Sequence, residues 1–453
     1  MNRLEWRASM SLASLSGLRL LGLFIILPVF AVDAQHLPGG SDLTLVGLAI
    51  GAYGLTQAVF QIPFGWLSDR IGRKRVIYGG LLLLAAGSFI AAIAPNIWFI
   101  ILGRVIQGAG AISAAVVALA ADLTREEHRT KSMAVIGMTI GAMFALSMVL
   151  GPVLDRWTGL PGIFTVTGVL ALGGILIAKF VVPDPAPGQL SHDRDVEPAR
   201  LREVLLDGDL ARLNYGIFAV HAALMALWVV IPPALLATGL PAAQMWEIYL
   251  PVVVLGFVLM VPAIVVGERG GRAKIVFLAG ITVLLASQLL LALGIECLWS
   301  IAFALLVFFT GFNLLEAMLP SLVSKAAPAS AKGTALGVFS SVQFLGTFIG
   351  ASVGGFISQH YGVAAVFAFG GLLTLSWLAV ASGMKHPTQV RTRTFSVPRM
   401  DESRAAGLAR RLSDLPGVRE ALVKAGEGVA YLKVDARSFD EACVQRVLSA
   451  AEN

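Results

Sequence analysis

Runs of about twenty apolar residues recur along most of this chain, separated by short polar connections. About 20 helical residues cross a hydrocarbon core of about 30 Å. Inside such a core each backbone N–H and C=O must be bonded internally, which leaves helices or closed barrels. Barrel strands alternate polar and apolar residues over about ten positions, and no such alternation occurs here, so helices are expected. Composition agrees: 57% of residues are hydrophobic and 14% charged, against about half and about a quarter in soluble domains.

Twelve spans are expected, near 11–32, 44–67, 76–94, 97–121, 131–154, 161–182, 212–237, 243–266, 273–293, 297–324, 331–357 and 362–384. The first contains Arg19 and has no small-residue cleavage site after it, so it reads as a retained helix and not a signal peptide. One set of connections holds Arg70, Arg73, Lys74, Arg75, Arg125, Arg129, Lys131, Arg200, Arg202, Arg212, Arg269, Arg272, Lys274, Lys325 and Lys332, while the opposite set holds only Arg156. The positive-inside rule then places both termini in the cytoplasm. Cys297 and Cys443 fall on opposite sides in this topology, so neither a disulfide nor a metal framework is expected.

The two halves repeat. "LFIILP" (Leu23–Pro28) matches "LWVVIP" (Leu227–Pro232) at an offset of 204. "IPFGWLSDRIGRKRV" (Ile62–Val76) matches "VPAIVVGERGGRAKI" at an offset of 199, and "GPVLDRWTGLPGIF" (Gly151–Phe164) matches "GGFISQHYGVAAVF" at 203. A six-plus-six duplication with an even number of spans per half gives parallel repeats. That is a transporter architecture, with the substrate site near mid-membrane between the halves.

The expected organisation is a six-helix half over 1–183, a linker over 184–211 with an amphipathic helix at 198–206, a second six-helix half over 212–385, and a cytoplasmic domain over 386–453. That last region reads as βαββα, a small ferredoxin-like domain whose usual last strand is either missing or lies beyond residue 453. Its hairpin should turn at Glu427–Gly428, and its second helix opens with Ser438 and Glu441 in capping-box spacing. It lacks Cys-x-x-Cys and is not expected to bind a soft metal. A regulatory or protein-docking role is the alternative, and its basic residues could also rest on anionic headgroups.

Four ionisable residues lie well inside spans: Arg19, Arg104, His221 and Glu316. Each is costly in hydrocarbon and is by default a functional hypothesis. Arg19, His221 and Glu316 each lie about nine residues from the cytoplasmic end, a depth of roughly 13 Å, so they could surround one cavity. Glu316, one turn after Asn313, is a candidate to load and release protons. The bland alternative is a permanent ion pair with Arg19 or His221. Arg104, beside Gln107, could bind anions, tune the proton site or hold backbone carbonyls. Gln57, Gln61, Asn214, Gln288 and Gln343 are further polar residues in or near spans.

The connection after the second span, "GWLSDRIGRKR", is short, so its flanking helices are antiparallel neighbours. Gly72 can supply a φ > 0 turn. Gly65 and Asp69, four apart, share a helix face. This stretch resembles the loop signature of the major facilitator superfamily, G-x-L-x-D-R-x-G-R-K/R. "RVIQGAG" (Arg104, Gln107, Gly108, Gly110) resembles the second signature of its drug/proton antiporters. "GMTIGAMFALSMVLGP" (Gly137, Gly141, Gly151, Pro152) resembles their helix-bending antiporter signature, with Ser147 and Asp155 departing from the pattern. "LRLLGLFIILPVF", "FAVHAALMALWVVIP", "FNLLEAMLPS" and the C-terminal βαββα segment together resemble a subgroup of the superfamily that carries a soluble tail.

The resemblance implies that Asp69 meets the start of the eleventh span. It also implies that Arg73 pairs with Asp122, and that these contacts latch the halves in the outward-facing state. Arg70, Lys74 and Arg75 read as setting orientation. The implied function is proton-coupled export of small hydrophobic or amphipathic compounds, across a bacterial inner membrane, by a monomer in a lipid bilayer. The expected partners are protons and a small-molecule substrate, with no cofactor and no nucleic acid. Alternatives are a metabolite symporter or facilitator on the same fold, and a ligand sensor that signals through the C-terminal domain. An enzyme is not expected, since no nucleotide-cradling loop, metal spacing or nucleophile constellation is found.

Overall fold

The computed structural model describes the chain except for residues 185–197, 270–271, 295, 329–330, 385–389, 399, 425–427, 436–438 and 453. Among the described residues ten helical segments are long and apolar enough to cross a membrane. Their outward faces carry exposed apolar side chains, among them Val258, Leu289, Phe303 and Leu372, which suits lipid and not water.

The first half is built from α1 (Arg3–Phe24), α2 (Phe30–Asp33), α3 (Leu43–Ile71), α4 (Arg73–Ala92), α5 (Ile97–Ala109), α6 (Ser113–Asp122) and α7 (Glu126–Phe180). The end of the bundle where α1 starts is termed proximal, the other distal. Three expectations are corrected here. The helix that carries the first span begins ahead of it, at Arg3, with Asn2 and Glu5 closing a capping box outside the span, and is regular only to Phe24. Pro28, which has no N–H to donate, lies in the irregular turn before α2. The fourth span is broken at 110–112, where Gly110 leaves helical geometry at φ −74°, ψ 53° and packs so closely that a Cβ on it would lie 2.3 Å from the Gly80 carbonyl oxygen of α4. The fifth and sixth run as one 55-residue segment whose only non-helical residue is Gly159, at φ 62°. The Gly151–Pro152 step stays helical.

After α8 (Pro198–Leu206), the second half holds α9 (Gly208–Ala237), α10 (Trp246–Arg269), α11 (Ala273–Leu293), α12 (Leu298–Ala326), α13 (Lys332–Tyr361) and α14 (Val363–Ser382). The same kind of contact recurs in both halves, from lysines one position apart in the repeat. Lys74 Nζ lies 2.7 Å from the carbonyl oxygen of Val182, just past α7. Lys274 Nζ donates to those of Ser382 and Met384, at 2.8 and 2.6 Å, at the end of α14. Each lysine neutralises carbonyls left over at a helix C-terminus, so Lys74 does more than set orientation.

The halves meet where α13 lies between α9 and α3. Gly346, Gly350 and Gly354 face the α9 backbone at Phe218, Ala222 and Ala226. On the other side Gly47, Gly51 and Gly54 of α3 approach Ala351, Phe348 and Phe344. Leu43 N donates to Gln359 Oε1 across this seam at 2.9 Å. Along α3 and α13 these contacts run from Leu43 and Gln359 at the distal end to Gly54 and Phe344 near the middle. At the proximal end of α13, a Cβ on Gly333 or Gly337 would meet nothing within 4 Å. The seam is thus tight distally and loose proximally.

The C-terminal region contains β1 (Val390–Ser396), α15 (Glu402–Ser413), β2 (Val418–Lys424), β3 (Val429–Asp435) and α16 (Glu441–Glu452). The sheet order is β1-β3-β2, with β3 antiparallel to both neighbours. Ala430, Leu432 and Val434 alternate inward from β3 into one cluster with Leu408 and Leu412 of α15 and Val444 of α16. Glu427 and Ser438, expected in the hairpin turn and the helix cap, lie outside the described residues.

Candidate functional site

Two polar clusters occupy the interior, one in each half. In the second half, Gln343 of α13 joins His221 of α9 to Glu316 of α12. Its Nε2 lies 3.2 Å from Glu316 Oε1 and 2.8 Å from His221 Nε2. Glu316 Oε2 and His221 Nε2 are 3.8 Å apart. His221 Nδ1 faces the carbonyl oxygen of Ile217 at 3.2 Å. An imidazole donating from Nδ1 to Ile217 leaves Nε2 to accept one N–H of Gln343, whose other N–H reaches Glu316 Oε1. Placing a proton on Nε2 sets two donors against each other and requires the Gln343 amide to flip.

The side chain of Glu316 is 35% exposed, whereas Asn313 and Leu315 on the same helix are buried. Glu316 Oε2 is nevertheless enclosed without a hydrogen-bond partner, so the exposed part is the rest of the side chain. Asn313 Nδ2 is enclosed without a partner. Phe312 lies edge-on to the imidazole at 5.8 Å between centroids.

In the first half the organising residue is Tyr53 of α3, which is fully buried. Arg19 Nη1 and Gln57 Nε2 both donate to its hydroxyl oxygen, at 3.1 and 3.3 Å. The Arg104 guanidinium lies 4.9 Å from the centre of its ring, a cation–π arrangement. Arg104 Nη1 donates to Gln107 Oε1 at 3.0 Å, and Gln107 Nε2 donates to Ser88 Oγ at 2.7 Å. Gly87 and Gly103 allow α4 and α5 to touch here, since a Cβ on Gly87 would lie 2.4 Å from the Gly103 carbonyl oxygen. Arg104 Nε and Nη2 are enclosed and have no partner. Of the roles considered for Arg104, holding backbone carbonyls is not seen among its described contacts.

Arg19 therefore joins Tyr53, while His221 and Glu316 join each other. The clusters adjoin across the seam: Phe344, next to Gln343, packs in the same apolar cluster as Tyr53. An aromatic row also crosses between the halves, with Phe24 against Phe144 at 4.9 Å and Phe144 against Phe309 at 6.0 Å.

At the proximal end Arg73 is the hub. Its Nε donates to Asp122 Oδ2 at 3.1 Å, its Nη1 to Ser68 Oγ at 2.9 Å, and it pairs with Asp69. These residues all belong to α3, α4 and α6 of the first half. Arg70 stacks 3.6 Å above the Trp66 ring. Gly65 faces Ala114 of α6, where an added Cβ would stand 3.3 Å from the alanine methyl, and Gly72 turns the chain at φ 101°. Nearby, Glu5 accepts from Arg125 Nε at 2.9 Å. The Arg125 side chain, with the Asn2 and Arg125 backbone N–H groups, holds its carboxyl down to about 2 despite burial.

In the bend motif only Gly151 is required by close approach, a Cβ there standing 2.4 Å from the Ile25 carbonyl oxygen. At Gly141 the nearest atom would be Phe257 Cζ at 3.5 Å, and at Gly137 nothing lies within 4 Å. The sequence reading did not single out Tyr53, Ser88, Glu5 or Asp33. The Asp33 carboxyl, at the distal end, meets that of Asp155. A hydroxyl four residues before Gln57 is the signal that could have found Tyr53.

A family model described as Major Facilitator Superfamily matches residues 12–351 and 216–410. The chain is 43% identical over 433 residues to the inner membrane transport protein YajR of Escherichia coli, covering 96% of this chain and 95% of YajR. It is 27% identical over 208 residues to the quinolone resistance protein NorA of Staphylococcus aureus, 45% of this chain and 50% of NorA. Among solved structures, the human organic anion transporter MFSD10 (TETRAN) superposes with a TM-score of 0.63 at 19% identity, over 84% of this chain and 100% of that one. These relatives and this fold belong to transporters, not enzymes.

Proposed function

The chain belongs to the major facilitator superfamily, and on that premise we propose that it is a proton-coupled secondary transporter of a bacterial inner membrane. It works by alternating access and exports small hydrophobic or amphipathic compounds. Its twelve spans are those of the sequence reading, with α7 counted as two about Gly159 and the α1–α2 stretch as the first. The halves are residues 1–183 and 212–385, joined by 184–211, and both termini are cytoplasmic. On that orientation the proximal end faces the cytoplasm, and the tight distal seam belongs to an inward-facing state. Residues 386–453 form a ferredoxin-like βαββα domain that serves as a docking or regulatory unit.

The observation that carries the reading is Glu316, a half-exposed carboxylate inside a span, tied through Gln343 to His221. This carboxylate sits between helices of the second half, where a rocking motion of the halves would open and close its access to either side. Asp69, Arg73 and Asp122, with Gly65, Arg70 and Gly72, act as the proximal latch. The inner-membrane location agrees with that of YajR, and export with the resistance named for NorA.

The experiment is reconstitution into proteoliposomes with an imposed pH gradient. Its probes are a fluorescent cation, ethidium, and a fluorescent anion, 1-anilinonaphthalene-8-sulfonate. The wild type moves a probe in response to the gradient; Glu316→Gln binds it but does not respond. Gradient-driven flux retained in Glu316→Gln removes Glu316 from the coupling path. A second reading, a symporter on the same fold, is favoured by one observation: neither buried guanidinium of the first half has a carboxylate partner among the described residues.

A further inference from the structure

We propose that the first half holds an anion site at Arg19, backed by Arg104, and that the transported compounds carry a single negative head group, such as a carboxylate, on an apolar body. This rests on the reading of the chain as a transporter and adds the substrate class.

Arg19 is 5% exposed and Arg104 0%. A guanidinium stays protonated in proteins, so both are fixed charges withdrawn from water, and an unpaired buried charge is strongly destabilising. Their described partners are neutral: the Tyr53 hydroxyl for Arg19, and the Gln107 amide and Tyr53 ring for Arg104. The acids described within spans are engaged elsewhere. Glu316 is held by Gln343 and His221 in the other half, and Asp155 meets Asp33 at the distal end. The first-half interior therefore carries two positive charges without a protein counter-charge among the described residues.

The two arginines differ in access. Arg104 Nε and Nη2 are sealed in without partners. Arg19 makes one described hydrogen bond, through Nη1. Its other two nitrogens are absent from the enclosed, unpartnered atoms, so they remain open to an incoming group. Arg19 is thus the contact residue, offering a planar fork that matches a carboxylate. Arg104 is a positioning residue: it holds the Tyr53 ring and adds positive field behind it. The aromatic row of Phe24, Phe144 and Phe309, with Phe144 and Phe309 buried, starts five residues beyond Arg19 on α1 and supplies an apolar wall on its distal side. That is about 7.5 Å along a helix axis, a short distance from head group to hydrophobic wall. The same field repels a cation from this position.

The test is calorimetric titration of the purified full-length protein, in a non-ionic detergent and a chloride-free buffer, with three isosteres. They are naphthalene-2-carboxylate, naphthalene-2-carboxamide and 2-naphthylmethylammonium. The carboxylate is expected to bind at least about tenfold more tightly than the other two, the scale of one charge-assisted contact in a desolvated site. In Arg19→Gln the carboxylate and carboxamide should bind alike, and Arg19→Lys should restore part of the preference. Equal or tighter binding of the carboxamide or the ammonium to the wild type overturns the proposal. So does a carboxylate preference that survives in Arg19→Gln. The wild-type comparison stands alone if Arg19→Gln fails to fold. No proton gradient is present, so a negative result leaves proton coupling through Glu316 untouched, and failure of that coupling leaves this site untouched.

Discussion

Placing one methyl group on Gly47 should open the distal end of the transporter. A Cβ at Gly47 would stand 2.2 Å from the Ala351 carbonyl oxygen and 3.0 Å from Gly355 Cα, where ordinary contact begins at 3.4 Å. Both obstacles are backbone and cannot rotate aside. Sliding the helices does not relieve the clash, because a Cβ at Gly355 would already lie 2.2 Å from the Leu43 carbonyl oxygen. The seam must part by about 1 Å, and a packed interior transmits such a displacement instead of absorbing it. Overpacking of this kind costs about 1–3 kcal/mol. Losing the Leu43–Gln359 hydrogen bond adds about 0.5–1.5 kcal/mol. The penalty falls only on states whose distal end is closed, so the open-to-closed ratio should rise at least about fivefold. The assay replaces Cys297 and Cys443 with serine and introduces Ser352→Cys, since the Ser352 Oγ is enclosed beside Gly51. Labelling by a membrane-impermeant maleimide then reports distal opening. Gly47→Ala should label at least about fivefold faster than its parent. Gly137→Ala, whose Cβ meets nothing within 4 Å, should not change the rate. An unchanged rate in a folded Gly47→Ala protein would refute the claim that this seam is the distal gate.

Two further perturbations act at the proximal end. Asp69→Asn removes one of the two carboxylates around Arg73 and should shift the population toward the inward-facing state. Labelling of Ser352→Cys then slows, opposite in sign to Gly47→Ala, and unchanged labelling with unchanged transport takes Asp69 out of the latch. Glu5 is the pH probe: its carboxyl is held at about 2 in the folded protein against an ordinary value of 4.5. A depressed carboxyl adds stability above its unfolded pKa and loses it as pH falls through the folded one. The melting-temperature advantage of wild type over Glu5→Gln should therefore be full at pH 7 and shrink between about pH 4.5 and about pH 2. A difference that stays constant over that window excludes the ion pair with Arg125 as its cause.

The spans were legible because membrane thickness sets an apolar length that a single sequence displays. The breaks within them were not. Gly110 interrupts the α5–α6 stretch where Gly80 of α4 passes beside it, and nothing within "RVIQGAG" encodes that neighbour. At the repeat's offset of 199 Lys274 aligns with Arg75 and not with Lys74, so the alignment did not pair the two lysines, and the carbonyls they bond lie 108 and 108–110 residues away. Glu316 stood out as a charge in an apolar run. Gln343, which joins it to His221, was only one of several polar residues until α13 was placed. Tyr53 was the least visible of all, since a tyrosine in an apolar span reads as core until an arginine from another helix is found on its hydroxyl.

The separation of charge between the halves ties substrate class to coupling direction. Arg19 and Arg104 are positive in the first half; Glu316 is the acid of the second. A proton on Glu316 removes a negative charge from the shared interior, and an anion at Arg19 adds one, so each favours the other. Reciprocity of linked binding makes the two effects equal in size. An anionic substrate therefore binds more tightly in the protonated protein, which is the sign of symport. A cation competing for Glu316 has the opposite sign and gives antiport by exclusion. Antiport of an anion remains consistent with this geometry on one condition: the carrier loaded with both proton and anion must be unable to reorient. The constraint would then lie in the latch around Arg73 and the seam at Gly47, because the two binding sites attract each other's ligands.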